Sequence, residues 1–167
     1  MFVQDFEVID RPYHWVRPHL EAGERTEALL RAALKGARVQ GEAIRARVGP
    51  ASWPAVFSKQ VRIRAGPARE HGDSVLVPLS WEATDGVSLF PRLDADLEAA
   101  PFGAGQTQLC LRARYDPPGG ALGRSIDQML LHRLAEATVR AFLTDICRGL
   151  DPAHDRAGWA QGTGRPR

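Results

Sequence analysis

The amino-acid sequence predicts an α+β fold in which one long C-terminal helix covers an antiparallel sheet. Residues 107–115 alternate between apolar and polar side chains, and this period of two is typical of a half-buried strand. After the prolines and glycines of 116–120, which end the strand, apolar residues recur at every fourth position from Leu122 to Leu150. That spacing indicates an amphipathic helix, and such a helix needs a large apolar partner.

The first third of the chain predicts a strand followed by helices. Residues 2–9 alternate with a period of two, and one face of this first strand is more polar than the other. A short helix follows, which Pro18 disturbs near its end. Residues 24–48 have a second helical pattern. Gly36 and Gly41 weaken the prediction that this helix is unbroken, because glycine is about 1 kcal/mol less favourable than alanine inside a helix.

Three more strands are predicted in the middle of the chain, over 61–65, 75–83 and 90–99. Pro78 lacks a backbone N–H and indicates an edge, a bulge or a bend in the second of them. The connections between consecutive strands are short, and parallel neighbours would need a crossover of a dozen or more residues. The strands are therefore predicted to form an antiparallel meander, with 51–58 and 84–89 as candidates for further short strands.

The C-terminal helix is predicted over 125–149. Ser125 and Gln128 have the S-x-x-Q spacing of a capping box, whose side chains bond free backbone N–H groups at a helix start. Gly149, followed by Asp151 and Pro152, ends the helix. Roughly 24 residues at 1.5 Å each give a length of about 36 Å, enough to lie across several strands.

Composition indicates one globular domain over residues 1–150 and a flexible polar tail over 151–167. The chain has 167 residues, 44% of them hydrophobic and 25% charged, and at this length it can bury a core without disulfides. Cys110 and Cys147 lack the spacing of a metal or redox motif and are expected to be free thiols. No apolar run approaches the roughly 18 residues of a membrane span, and no signal peptide is recognisable. We therefore expect a cytoplasmic protein without integral membrane association.

The charge pattern argues against a nucleic-acid partner. The formal net charge is +2, and Lys35 and Lys59 are the only lysines beside many arginines. Guanidinium groups bind phosphates well, but here they alternate with acidic residues instead of forming a basic stripe. This pattern is typical of a solvated surface.

The sequence contains no catalytic or metal-binding signature. His14 and His19 are five residues apart, whereas two imidazoles on one helical face need a spacing of four. The serines lack a G-x-S-x-G context. Asp94, Asp96 and Glu98 alternate with apolar residues, as on the solvent face of a strand. No catalytic residue, metal site or cofactor is predicted.

The order of a strand, helices, an antiparallel meander and a long C-terminal helix is the helix-grip arrangement. Residues 1–150 resemble a bacterial branch of the SRPBCC, or START-like, superfamily, which includes lipid-transfer domains, plant pollen-allergen proteins and polyketide cyclases. The resemblance is carried by VPLSWEA at 77–83, FPRLDADLEAAPFG at 90–103 and RYDPPGGALGRSIDQMLLHRLAEATVRAFL at 114–143. These segments consist of turn formers, packing positions and a helix cap, so they bear on the fold and not on a reaction.

The resemblance implies a curved sheet wrapped around the C-terminal helix, short helices after the first strand, and a cavity between sheet and helix for an apolar or amphipathic ligand. Fewer strands are predicted than the seven of that fold. Tryptophan and tyrosine suit a ligand wall, because each combines a large apolar surface with one hydrogen-bonding group. The competing interpretation is that the apolar residues only fill a core. The residues predicted to line the cavity are Val77, Leu79, Trp81, Leu93, Leu109, Leu111, Tyr115, Met129 and Leu130.

The predicted function is binding of a hydrophobic or amphipathic small molecule or lipid, without chemistry of the protein's own. One alternative is an aromatase- or cyclase-type enzyme using the same pocket, which Tyr115, an arginine or a histidine inside the cavity would indicate. The other is a protein-interaction module, which a large exposed apolar patch would indicate. The oligomeric state is left open.

Overall fold

The computed structural model describes residues 2–48, 61–83, 93–115 and 128–151, and within them the backbone alone at 38–48, 61–62, 82–83, 93, 115, 128–131 and 134. The predicted helix cap at Ser125 and the candidate strands at 51–58 and 84–89 lie outside the described residues, as does all of the predicted tail except Asp151. The described elements are β1 (Phe2–Ile9), α1 (Tyr13–Glu21), α2 (Gly23–Val48), β2 (Val61–Ala65), β3 (Arg69–His71), β4 (Ser74–Ala83), β5 (Leu93–Phe102), β6 (Gln106–Tyr115) and α3 (Gln128–Leu150).

The strands form one antiparallel sheet in the order β1-β6-β5-β4-β2, with β3 also paired to β4. This confirms the predicted meander. Strand β5 extends to Phe102, beyond the predicted end at Ala99, because the turn into β6 forms at Gly103. Gly103 has a φ of 64°, a conformation that favours glycine. The three residues of β3 were not predicted, since all are exposed and too few to show a period.

A bulge lies beside β4 at Pro78, which is one of the three features, an edge, a bulge or a bend, that this proline indicated. Ala65 pairs with Leu79 and Arg69 pairs with Leu76, so three residues between β2 and β3 lie opposite only two of β4. One residue is therefore extra, which is the definition of a bulge. The backbone N–H of Gly66 donates to the carbonyl oxygen of Pro78 at 2.8 Å. Pro78 takes part in this hydrogen bond through its carbonyl oxygen, so the backbone N–H that proline lacks is not needed here.

Helices α2 and α3 pack against each other in antiparallel directions. Gly36 of α2 lies against Asp145 of α3, and Gly149 near the end of α3 lies against Leu29 near the start of α2. A Cβ at either glycine would overlap the opposite side chain, so both glycines permit a close helix approach. Helix α2 is one unbroken element of 26 residues. It is longer than the short helices expected after the first strand, whereas α1 is short as expected.

The more polar face of β1 points inward, toward α3. Arg140 Nε of α3 lies 3.0 Å from Asp5 Oδ2, and the Thr144 hydroxyl donates to Glu7. These contacts show that α3 runs alongside β1 in the same direction. The outward face of β1 carries Phe2 and Phe6, which are 54% and 59% exposed.

The architecture is α+β and helix-grip: a curved antiparallel sheet whose inner face is covered by α3, with α1 and α2 completing the layer. Helix α3 packs on β1 and β6, α2 packs on β2, and α1 packs on β4, β5 and β6. Among the described helices, none has the length together with the low polarity that a membrane span requires.

Candidate functional site

The inner face of the sheet consists of apolar rows that cross the strands. Residues paired across antiparallel strands point to the same face, so the pairing register defines each row. The register defines four rows across β4, β5 and β6. The side chains of the first three rows are all described, and all of them are buried. The rows, in the order β4, β5, β6, are Val75, Ala99, Leu109; then Val77, Leu97, Leu111; then Leu79, Ala95, Ala113; and finally Trp81, Leu93, Tyr115.

Five of the nine residues predicted to line a cavity have described side chains, and all five lie on this inner face. They are at most 4% exposed, and they are Val77, Leu79, Trp81, Leu109 and Leu111. The other four are placed by their backbone alone: Leu93 pairs with both Trp81 and Tyr115, and Met129 and Leu130 lie in the first turn of α3. The structure thus assembles the strand residues as predicted, and their role in ligand binding stays a prediction.

An aromatic pair connects the sheet to α3. The rings of Trp81 and Phe142 meet edge to face, with centroids 5.3 Å apart and planes at 84°. Phe142 is fully buried. The sequence analysis did not include it among the lining residues, although it belongs to the same four-residue apolar repeat of α3.

The site is closed at the end nearest the β5–β6 turn. The rows of Val75 and Val77 are at most 1% exposed. Helix α1 packs on this part of the sheet and contributes Val16 and Leu20, which are also buried. On α3, the buried side chains near this end continue as far as Leu150. This half of the protein is a close-packed core.

Coverage of the inner face decreases toward the opposite end and toward β2. Ile63 and Ala65 of β2 share rows with Trp81 and Leu79 but are only half-buried. On α3, six side chains from Val139 onward are buried, whereas every described side chain before Val139 is half-buried or exposed. Partly exposed apolar side chains therefore occur on β2, at Ile63 and Ala65, and on the first half of α3, at Ala135, and all three pack against the core.

A polar seam holds α3 to the opposite edge of the sheet, at β1. Besides the Asp5–Arg140 ion pair, the seam contains Glu7, Thr144 and Cys147. Burial raises the pKa of the Cys147 thiol, and the carboxylate of Glu7, which bonds to that thiol, raises it further. A thiol that stays protonated is a poor nucleophile, so the seam has a structural role.

The acidic residues of β5 lie on the outer face, as predicted. Asp94 and Asp96 are exposed. Glu98 is only 14% exposed in its side chain, and Ser74 Oγ lies 2.7 Å from its Oε1. This hydrogen bond lowers the pKa of Glu98, and His71 and Arg112 contribute in the same direction. The network binds neighbouring strands together and lies on the face away from the helices.

Both cysteines are free thiols, as predicted, with Cys110 half-buried and Cys147 buried. His132 lies 3.1 Å from Glu136 one turn along α3, which is a common surface pair. Within residues 2–48, 61–83, 93–115 and 128–151, no three His, Cys, Asp or Glu side chains are grouped as around a metal ion.

Solved structures are similar to this chain over most of its length. A hypothetical protein of Helicobacter pylori has a TM-score of 0.50 at 8% identity, covering 88% of this chain and 86% of its own. The Zhui aromatase/cyclase of a Streptomyces species has a TM-score of 0.46 at 14% identity, covering 95% and 98%. A conserved protein of Geobacillus kaustophilus has a TM-score of 0.49 at 12% identity, covering 92% and 97%.

No protein-family model matches the chain, and no curated protein matches it by sequence. At such low identities a structural likeness bears on the fold alone.

Proposed function

We propose that this protein binds a hydrophobic or amphipathic small molecule or lipid between the inner face of its sheet and α3. The observation that carries the proposal is the uneven covering of one apolar surface. The rows of Val75 and Val77 are completely buried, whereas Ile63 and Ala65 on the same face remain half-buried. A ligand placed at the less covered end would remove this remaining apolar surface from water.

The energetic gain follows from the hydrophobic effect. Burial of apolar surface contributes roughly 25 cal/mol per Å², and no directional contact is needed for it. Small-molecule sites are usually concave and mostly apolar, with a few polar groups near them. Ile63 and Ala65 would supply apolar surface to such a site, and Thr138, half-buried on α3, would supply a polar group.

The length of α3 supports a site at this end. The helix continues for 12 residues before Arg140, which is about 18 Å. Strand β1 begins only three residues before the partner of Arg140, Asp5, which is about 10 Å. The first turns of α3 thus extend past the start of β1. Met129 and Leu130 belong to these turns, and they are proposed to meet the ligand together with the row of Trp81.

Binding without catalysis is favoured over an aromatase or cyclase reaction. Asp5 and Glu7 are carboxylates of β1 on the inner face, and both are engaged by side chains of α3 in the polar seam. They lie at the edge of the sheet remote from β2. Tyr115, which like an arginine or a histidine inside the cavity would indicate an enzyme, is described by its backbone alone.

The proposal keeps three further expectations of the sequence analysis. The partner is a small molecule or lipid and not a nucleic acid, the domain comprises residues 1–150, and the location is cytoplasmic. Location is tested separately, by fractionation of cells that express a tagged chain.

Binding is tested by displacement of the fluorescent probe 1-anilinonaphthalene-8-sulfonate by a lipid. Native mass spectrometry detects any ligand that the protein retains. Ile63→Gln places a polar amide on the inner face and is expected to weaken binding at least tenfold. Arg64→Gln changes the next residue of β2, which is exposed, and serves as the matched control with unchanged binding. Equal binding by both variants would show that the probe binds elsewhere, and the absence of binding by the unaltered protein would refute the proposal.

A further inference from the structure

We propose that the free edge of β1 binds the same edge of a second copy of this chain, so that two sheets join about a two-fold axis. Within the described residues, β1 pairs with β6 alone, at one end of the sheet. An open edge presents unpaired N–H and C=O groups to another strand, and two copies of one edge can meet if that edge complements itself. This inference is independent of the proposed ligand binding and concerns a different surface.

Strand β1 lacks several features that protect edge strands from pairing. Proline, lysine and bulges are such features. The strand, FVQDFEVI, contains neither proline nor lysine, and its pairing with β6 runs through eight consecutive residues without a bulge. Its outer face has no charged residue, and Phe2 and Phe6 on that face are more than half exposed. The outer face of this edge is therefore apolar and accessible.

The charged residues of β1 are already engaged within the chain. Inward-pointing charges oppose the pairing of edges, and Asp5 and Glu7 point inward. Arg140 forms an ion pair with Asp5, and the Thr144 hydroxyl donates to Glu7. The side chain of Arg140 is nevertheless 73% exposed, so water adjoins the edge on this side as well. A second strand would therefore meet compensated carboxylates.

A hydrogen bond at Phe6 indicates which residues face the free edge. The backbone N–H of Phe6 donates to Oδ1 of Asp5 at 2.9 Å. The carboxylate thus provides the acceptor that a carbonyl of a pairing strand would provide at an open edge. In an antiparallel strand, the N–H and C=O groups of one residue point to the same side, and this side alternates along the strand. The even-numbered residues of β1 therefore direct their backbone groups to the free edge.

One register of two such strands uses these groups and keeps like charges apart. When Gln4 lies opposite Gln4 of the second copy, Phe2 lies opposite the second copy's Phe6, and both are hydrogen-bonded pairs of the antiparallel pattern. Aromatic side chains directly opposite each other stabilise a strand pair. Sliding one strand by two residues either loses the aromatic pairs or places Asp5 opposite the same residue of the second copy, and opposed like charges are destabilising. The Gln4 register is therefore favoured.

The first experiment measures the oligomeric state of the full-length chain by sedimentation velocity, from micromolar to millimolar concentrations. Pairing from Phe2 to Phe6 involves far fewer residues than the roughly 20 to 30 per partner of a standard interface, so a weak, concentration-dependent dimer is expected. Gln4→Lys places two like charges opposite each other at an exposed position, and it should raise the dimer dissociation constant about fivefold or more. Phe102→Lys is the matched control. It adds the same charge at an exposed hydrophobic residue of β5 and should leave dimerisation unchanged.

The second experiment tests the register by cross-linking. The side chain of Gln4 lies 3.5 Å from Cys110 Sγ, so Gln4→Cys is combined with Cys110→Ser. Opposite residues of a hydrogen-bonded pair have Cα atoms about 5.5 Å apart, which suits a disulfide. Oxidation with diamide should therefore link Gln4→Cys chains into covalent dimers. Val8→Cys in the same background lies on the same face of β1 but far from its counterpart, and it should remain unlinked.

Three results would overturn the proposal. The first is an unaltered protein that stays monomeric at all concentrations. The second is a dimer that Gln4→Lys leaves intact, or that Phe102→Lys weakens equally, because association would then use another surface. The third is equal cross-linking of Gln4→Cys and Val8→Cys, which would contradict the register. None of these results affects the proposed ligand binding, which the displacement assay tests separately.

Discussion

Gly36 of α2 and Asp145 of α3 are so close that a Cβ added to Gly36 would overlap Asp145 Oδ2. The carboxylate is held there by Arg148, whose Nη1 lies 2.7 Å from Asp145 Oδ1. A glycine that appears unfavourable in the sequence is therefore used for helix packing.

This relationship predicts a measurable coupling between the two positions. Gly36→Ala improves helix propensity by about 1 kcal/mol, but it also forces the Asp145 carboxylate away from Arg148. In an Asp145→Ala background the methyl group meets no carboxylate, so the full gain should be seen. Urea unfolding of both single variants and the double variant is expected to give a coupling free energy of about 1 kcal/mol. If the two substitutions change the free energy of unfolding additively, the Asp145 carboxylate moves aside without cost.

The ion pair of Arg11 and Asp151 is expected to contribute more than an exposed pair. Asp151 has a side chain only 4% exposed, and Arg11 Nη2 lies 3.1 Å from its Oδ1. Arg11→Ala leaves this carboxylate without its cation and should destabilise the protein by about 1–3 kcal/mol. Arg31→Ala removes an exposed partner of Glu27 and should cost under about 0.5 kcal/mol. Chemical unfolding of the two variants measures the difference, and equal losses would contradict it.

The Ser74–Glu98 hydrogen bond predicts a pH-dependent stability difference. Because the pKa of Glu98 is lowered below 4.5 in the folded state, ionised Glu98 stabilises the protein above that pH, and the contribution disappears as the pH falls through the folded pKa. Ser74→Ala removes the largest cause of this shift and should cost about 1–3 kcal/mol at pH 7.

As the pH is lowered toward 3, the difference between Ser74→Ala and the unaltered protein should become smaller, since protonation of Glu98 removes the charge that the serine stabilises. Ser80→Ala, on the same strand and the same outer face, is the control and should show little dependence on pH. Unfolding curves recorded from pH 3 to pH 7 provide the measurement. A constant difference for Ser74→Ala would mean that the serine acts through packing alone.

The two thiols should react at different rates. Cys110 is half-buried on the outer face, whereas Cys147 is fully buried and its pKa is raised by burial and by Glu7. At pH 8, a disulfide reagent is expected to modify one thiol per native chain quickly and the second only after addition of guanidinium chloride. In Cys110→Ser the fast phase should disappear. A fast phase that persists would place a reactive thiol at Cys147.

Most elements of the fold were predictable because their signals are local. A period of two identifies β1 and β6 within a few residues, and Pro78 indicates an edge, a bulge or a bend because it lacks a donor. Strand β3 was not predictable, since three exposed residues have no period and depend on pairing with β4. Unbroken α2 was uncertain for a similar reason: Gly36 is favourable only because Asp145 lies opposite it.

The candidate site was predictable in part. Alternation along β4 and β6 placed Trp81, Leu79 and Leu111 on one buried face, because side-chain parity is a local property of a strand. Phe142 was not recognised as a site residue. The apolar stripe of α3 winds around the helix, and which turn of it meets Trp81 depends on how the helix crosses the sheet.

By itself, the sequence determined the α+β class, the antiparallel meander and the apolar faces that had to be brought together. Only the tertiary structure decided which face of β1 points inward, how closely α2 approaches α3, and which residue of α3 meets Trp81. Residue periodicity reports the direction of each side chain relative to its own strand or helix. The partner opposite that side chain lies far along the chain, and only the packed fold selects it.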